Sequence, residues 1–269
     1  MYALGYEIYH EKIKAWLGVV WLSFSDMFLS QFIPQEKSQL SVALLDLPQA
    51  FFFLLGIYYF LRSSARKNSF WISSLFFALA FASKFFPGLI VALVGCGIYV
   101  WIVKRKEFIG WFISLVLIPV VYLLSYFRYF IYHPSLVSFI NYQKYLISWR
   151  LGNPVVIGNV FRVLFLGVYK NWWDGHVLTD PDWAWKIQFS FEFTLITLLL
   201  NLFEKRDARQ LFLAFLSLVF ILYVAFDTVG LAKYLLPVYP LMIILSMRTL
   251  GRFFDILVRQ WKLRKSYQR

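Results

Sequence analysis

The chain has 269 residues, of which 61% are hydrophobic, 22% aromatic and only 15% charged, with a mean hydropathy of +0.65. That excludes an ordinary soluble domain, which is about half apolar and a quarter charged, and the ten-residue alternation of a membrane β-barrel is missing too. The formal net charge of +13 is spread between apolar runs rather than gathered in one patch, so it reads as membrane topology and not as nucleic-acid binding.

The N-terminal stretch MYALGYEIYHEKIK has no basic leader followed by an apolar core, so it does not read as a cleavable signal. Apolar runs then predict eight helical spans, at 13–33, 41–61, 70–83, 85–103, 108–127, 183–203, 209–227 and 232–250; the third is short. Cys96 is the only cysteine, which excludes an internal disulfide and a zinc spacing. The run 155–173 is nearly apolar enough for a ninth span. Arg162 lies in its middle, and a ninth span would carry the basic connection EKRDAR to the wrong side. It therefore reads as an interfacial or re-entrant helix within a long extracytoplasmic loop, 128–182. The expected fold is all-α, a single polytopic transmembrane bundle over 1–269.

The connections set the orientation. RSSARKN (62–68), KRKE (104–107) and EKRDAR (204–209) each carry three Lys or Arg, and the C-terminal tail adds Arg252, Arg259, Lys262, Arg264, Lys265 and Arg269. Basic connections stay in the cytoplasm. The expectation is an integral protein of the plasma membrane with both termini cytoplasmic. Asp46, Lys84, Lys233 and Tyr234 then share the outer face with the long loop, which supplies His133, Lys144, Arg150, Asp174, His176, Asp180 and Asp182.

A lysine such as Lys84, inside LAFASKFFPGLI, costs about 3 kcal/mol at membrane depth unless it reaches water or a partner. Cations there suit a lipid-linked phosphate, and a carboxylate suits sugar hydroxyls or a base. Each residue also has a structural alternative. Lys84, Lys233 and Arg162 can snorkel to headgroups. Asp46 can cap the second span. Asp26 and Glu192, deeper in spans, read as paired structural groups. No Gly-rich phosphate loop, HExxH or nucleophile elbow is present.

The run ALLDLPQAFFFLLGIYYFLRSS, followed by FWISSLFFALAFASKFFPGLIVALV, resembles the polyprenyl-phosphate-sugar glycosyltransferases of the GT-C superfamily. It is most similar to the protein O-mannosyltransferase and aminoarabinose transferase group, in its archaeal form. The acidic residue opening a helix is matched by Asp46 and the lysine of the "ASK" text by Lys84. VYLLSYFRYFIYHPSLVSFINYQKYLISW resembles the entry to that group's large outer loop. LAKYLLPVYPLMIIL is similar to its "RYLLPxxP" motif through Lys233, Tyr234, Pro237 and Pro240.

The resemblance implies transfer of a mannose-like sugar from a polyprenyl-phosphate donor to an extracytoplasmic acceptor, protein or glycan. Lys84, Lys233 and Tyr234 would lie at the donor phosphate and Asp46 at the donor sugar. Some relatives use a divalent metal ion; no ligand cluster in this sequence demands one. The group carries its catalytic acidic residue in a first outer loop, and this sequence begins with text similar to a later segment, YALGYEIYHEKIKAWLGVVWLSFSD. The expectation is therefore the C-terminal portion of such an enzyme. SKFFPGL also resembles the "K-x-x-P" text of lipid-linked glycan mannosyltransferases. Two further readings are a non-catalytic subunit and a lipid transporter; against the transporter stands the lack of an inverted repeat.

Overall fold

The computed structural model describes residues 1–23, 40–65, 68–84, 87–151, 155–171, 174–179, 185–203, 207–227 and 232–267. The architecture is predominantly helical, as expected. In chain order the helices are α1 Tyr2–Tyr9, α2 Lys12–Ser23, α3 Leu40–Leu61, α4 Ser69–Ser83, α5 Gly88–Val103, α6 Phe108–Ser114, α7 Leu117–Ser125, α8 Phe127–Tyr132, α9 Leu136–Leu151, α10 Asn159–Leu166, α11 Trp185–Phe203, α12 Ala208–Asp227 and α13 Tyr239–Tyr267. Short 3-10 turns occupy Arg62–Ala65, Arg105–Glu107 and Ala232–Leu235. Between α10 and α11 lies one small antiparallel hairpin, β1 Val168–Lys170 with β2 Val177–Thr179, in the register Val168 opposite Thr179.

The central pair is α3 with α4, running antiparallel. Gly56 lets the helices approach: a Cβ there would stand 2.7 Å from the Phe77 ring. Ser73 Oγ donates to the Gly56 carbonyl at 2.7 Å, and Tyr59 stacks on Phe76 with ring centroids 5.4 Å apart. Small residues at a helix contact are what close packing in lipid requires. The α5 helix returns antiparallel and packs on α12 through Tyr99 and Phe212, whose centroids are 4.6 Å apart. Phe60 and Phe53 of α3 reach Phe212 and Phe220 of the same helix.

The first turns of α13 are apolar all round and form the centre of the core, with Tyr239, Leu241, Met242, Ile243 and Leu245 fully buried. The α11 helix runs parallel to it. Thr197 donates to the Leu245 carbonyl at 2.8 Å and Thr194 reaches the Met242 carbonyl at 3.3 Å while bonding Ser190 of its own helix at 2.7 Å, so both buried hydroxyls are satisfied. The α1 helix folds back along α2 after the left-handed turn at His10 (φ 55°), bringing the Met1 side chain beside Gly18.

Among the described residues two stretches are long and apolar enough to cross a membrane, Arg105–Ser125 and Ala208–Phe226, with mean hydropathies of 2.3 and 2.0. Four shorter apolar helices accompany them: Leu47–Leu61, Ser69–Ser83, Gly88–Val103 and Ile187–Phe203. The two-span count falls short of the eight expected from hydropathy. Part of the reason is local. The run 108–127, which turns at Leu115–Val116 between α6 and α7, still counts as one of the two, whereas the run 232–250 begins with a 3-10 turn and enters α13 only at Tyr239. Pro237, which lacks an N–H, keeps the helix from starting earlier, whereas Pro240 is tolerated in its first turn. The later part of the run 13–33 lies outside the described residues.

Candidate functional site

The bundle has two chemically distinct ends. One carries the C-terminus of α4, the N-terminus of α5, the 3-10 turn Ala232–Leu235 and the helix α10 that packs on that turn. There Lys84 closes α4 in an extended conformation, its N–H donating to the Ala80 carbonyl at 3.2 Å. Its own carbonyl accepts a 2.7 Å hydrogen bond from Gln49 Nε2 of α3. Gln49 is buried and lies three residues beyond Asp46, so Asp46 and Lys84 belong to helix segments tied at one end. The α3 helix starts at Leu40, so Asp46 is not an N-cap; it stands in the second turn. The side chains of Asp46, Arg150 and Lys233 lie outside the described residues, as do Asp26, Asp180 and Asp182.

Tyr234 is half-buried against the core in its 3-10 turn. The α10 helix packs on that turn and on the adjoining ends of α11 and α12. A helix is expected within 155–173, and α10 lies there. At eight residues it is too short to span a membrane, and left-handed glycines, Gly158 (φ 75°) and Gly167 (φ 67°), bracket it. The Gly158 N–H donates to the Ala225 carbonyl at 3.1 Å, and Phe165 meets Phe191 at 5.5 Å. Buried Asn159 grips β1 from both sides: its Nδ2 donates to the Lys170 carbonyl at 3.1 Å, and the Lys170 N–H donates to its Oδ1 at 2.8 Å. Arg162 is exposed.

His133, Lys144, Asp174 and His176 are exposed. Asp174 Oδ1 accepts from the His176 N–H at 2.9 Å, a turn-forming contact. His133 packs on Tyr129 at 5.0 Å, within an aromatic cluster that also joins Tyr122, Tyr126, Phe139 and Tyr142 across α7, α8 and α9. Beside this cluster, Val120, Leu123, Leu124, Phe127 and Phe130 line an open apolar groove of about 330 Å³. Ser74 and Ser114 share a 2.7 Å hydrogen bond, and both chains run the same way from there. The groove therefore opens at the end of the bundle that carries Lys84.

The opposite end holds a polar network that hydropathy did not single out. Glu7 of α1 receives Arg209 Nη1 at 3.2 Å and Arg62 Nε at 3.5 Å. Arg248 of α13 donates to Asn201 Oδ1 and Gln210 Oε1, and Gln210 Nε2 donates to Asp207 Oδ2 at 3.0 Å. The Tyr9 hydroxyl donates to the Ile244 carbonyl at 2.6 Å; burial raises its pKa well above the usual phenol range. Lys104 donates to Ser63 Oγ at 2.6 Å; burial lowers its pKa, with Glu107 opposing. One signal for this end was legible: Arg248 interrupts the last apolar run, and a cation there needs a partner. Glu192 is satisfied within its own helix by Gln188 Nε2 at 2.9 Å.

Among the described residues no three His, Cys, Asp or Glu side chains gather as metal ligands. No protein-family model, curated protein or solved structure matches this chain.

Proposed function

We propose that this chain is an integral membrane glycosyltransferase that transfers a mannose-like sugar from a polyprenyl-phosphate donor to an extracytoplasmic acceptor. A protein is the preferred acceptor and a lipid-linked glycan the alternative. Membrane residence is supported by the stretch Arg105–Ser125, of whose apolar window only 11% is buried inside the protein. A core helix of a soluble protein hides such a surface; here Ile109, Phe112, Ile113, Val120 and Leu124 are exposed. The end rich in Lys and Arg faces the cytoplasm and the Lys84 end faces outward.

The observation that carries the reading is Lys84 at a fixed helix terminus, at the bundle end where the apolar groove of α7 and α8 opens. A lipid-linked phosphate asks for that pairing: a cation for the phosphate and an apolar path for the chain. In transfer, the bond from the anomeric carbon to the phosphate oxygen breaks and its electron pair leaves on the phosphate. A cation already in place stabilises that charge as it develops. Lys84 takes this role, and Lys233 and Tyr234 of the turn Ala232–Leu235 are assigned to the same phosphate. The acceptor oxygen forms the new bond and gives its proton to a base that none of these residues supplies.

The test is binding of a polyprenyl-phosphate mannose to the purified protein in nanodiscs. Lys84→Ala is expected to weaken binding about tenfold or more, the worth of one charge-assisted contact. Lys84→Arg should retain most of it. Equal binding by Lys84→Ala removes Lys84 from the site, and no binding by the wild type overturns the donor class.

A further inference from the structure

We infer that the C-terminal part of α13, from Arg252 to Tyr267, docks on the anionic surface of the bilayer. The inference rests on the membrane reading above but not on the glycosyltransferase one. Hydropathy ended the last span at residue 250, whereas α13 continues without a break to Tyr267. Its chemistry changes along its length. Up to Met247 it is buried core, and from Arg252 to Trp261 every residue is exposed.

The exposed part is two-sided. Leu250, Phe253, Phe254, Leu257, Val258 and Trp261 recur at spacings of three and four, which places them on one face of a helix. Phe253 and Phe254 are each 58% exposed and Trp261 57%. Arg252, Asp255 and Arg259 occupy the other face by the same spacing, with exposed Ile256 beside them. From Arg252 onward the chain carries six basic residues (Arg252, Arg259, Lys262, Arg264, Lys265 and Arg269) against the single acid Asp255. A large apolar face opposite a basic one is the pattern of a helix that lies in the headgroup layer.

Charge selects the occupant. A soluble partner or a second copy would cover the apolar face equally well. A second copy, however, would bring the same excess of positive charge against this one. An anionic bilayer supplies both an apolar layer for the Phe and Trp side chains and a negative potential for the Arg and Lys. Location agrees: the segment leaves the bundle at the end where Arg62, Lys104 and Arg209 lie, the end assigned to the cytoplasmic leaflet.

The experiment uses the full chain in nanodiscs, with Val258→Cys carrying an environment-sensitive fluorophore. Native Cys96 is fully buried, and a Cys96→Ala background removes it from the labelling chemistry. Discs of phosphatidylcholine alone are compared with discs containing phosphatidylglycerol. The expected result is a blue-shifted label, shielded from an aqueous quencher, in the anionic discs only, with reversal in high salt. Each Lys or Arg near such a surface is worth roughly fivefold in the docking equilibrium. Arg259→Gln with Lys262→Gln should therefore lower it roughly twenty-five-fold, while α11–α13 packing, read by thermal unfolding, stays unchanged.

A label in water in both lipids overturns the inference. So does a label equally buried in both, or one whose burial depends on a second chain per disc. Failure of the protein to enter discs at all would instead overturn the membrane reading, which keeps the two failures distinguishable.

Discussion

Replacing Asn201 by leucine tests the polar network where it is most buried. Asn201 is fully buried, and its amide does four things: Nδ2 donates to the Thr197 carbonyl at 2.9 Å and to Gln210 Oε1 at 3.4 Å, and Oδ1 accepts from Arg248 and, at 3.5 Å, from the Asp207 N–H. Leucine fills nearly the same volume, so the cost comes from the polar atoms left behind. A hydrogen bond to a charged group contributes about 1.5–3 kcal/mol; losing that bond from Arg248, which keeps Gln210 Oε1, together with the neutral ones brings the total to about 3 kcal/mol. For a chain of this size that is a fall in Tm of about 6 °C or more. The discriminating variant is the double replacement, Asn201→Leu with Arg248→Met. Removing both partners of a buried polar pair is close to neutral, whereas removing one is not. The double variant should therefore be more stable than Asn201→Leu alone by at least about 1.5 kcal/mol. Thermal and denaturant unfolding of the detergent-solubilised protein, followed by tryptophan fluorescence, reads both numbers. A double variant less stable than either single one would show that the network is not what holds this end.

The α3–α4 contact makes a second pair of predictions. Gly56→Ala drives a methyl to 2.7 Å from the Phe77 ring and should destabilise by about 1–3 kcal/mol from overpacking. Gly110→Ala, with nothing within 4 Å of the added carbon, should be neutral or stabilising by up to about 1 kcal/mol from helix propensity; equal effects at the two positions would refute the packing account. Tyr9 supplies a pH dependence. Its folded pKa is raised, so the folded state keeps its proton above the ordinary phenol value of about 10 while the unfolded chain loses it. That stabilisation is complete below about pH 10 and is lost as pH rises beyond it. Tyr9→Phe should flatten the alkaline fall of Tm, and an unchanged slope would assign that fall to other groups.

Helix placement was legible where an apolar run ended abruptly in polar text. The readings 41–61, 70–83, 183–203 and 209–227 meet the observed helices Leu40–Leu61, Ser69–Ser83, Trp185–Phe203 and Ala208–Asp227 to within two residues at either end. Hydropathy failed at α13 in both directions because it reads solvation and not backbone geometry. At the start, Pro237 is apolar but cannot continue a helix ladder. At the end, Arg, Lys, Gln and Leu are good helix formers although hydropathy stops at their charge. The network of Glu7, Arg62 and Arg209 was out of reach for another reason: Glu7 and Arg209 stand 202 positions apart, and nothing in either local text names the other. Of the residues singled out for the site, Lys84 could be argued from cost alone. Tyr234 rested on resemblance, and its packing against α10 emerges only from the fold.

The two ends divide stability from the proposed chemistry. The end with Arg248, Asn201, Gln210, Asp207, Glu7, Arg62 and Arg209 is cross-linked by charged and amide side chains, whose loss is felt by folding. At the other end the bond that fixes the Lys84 turn is made by its carbonyl, to Gln49 Nε2. Truncating the Lys84 side chain leaves that bond in place, so Lys84→Ala removes a cation without removing the turn that presents it. From Gln49 to Arg62 along α3 the two ends are about 20 Å apart at a rise of 1.5 Å per residue, far enough for substitutions to act independently. Asn201→Leu should thus lower Tm and leave donor affinity in the surviving folded protein unchanged, while Lys84→Ala should lower donor affinity. If both variants lost stability and binding together, Lys84 would belong to the scaffold and the outer end would need another cation for its phosphate.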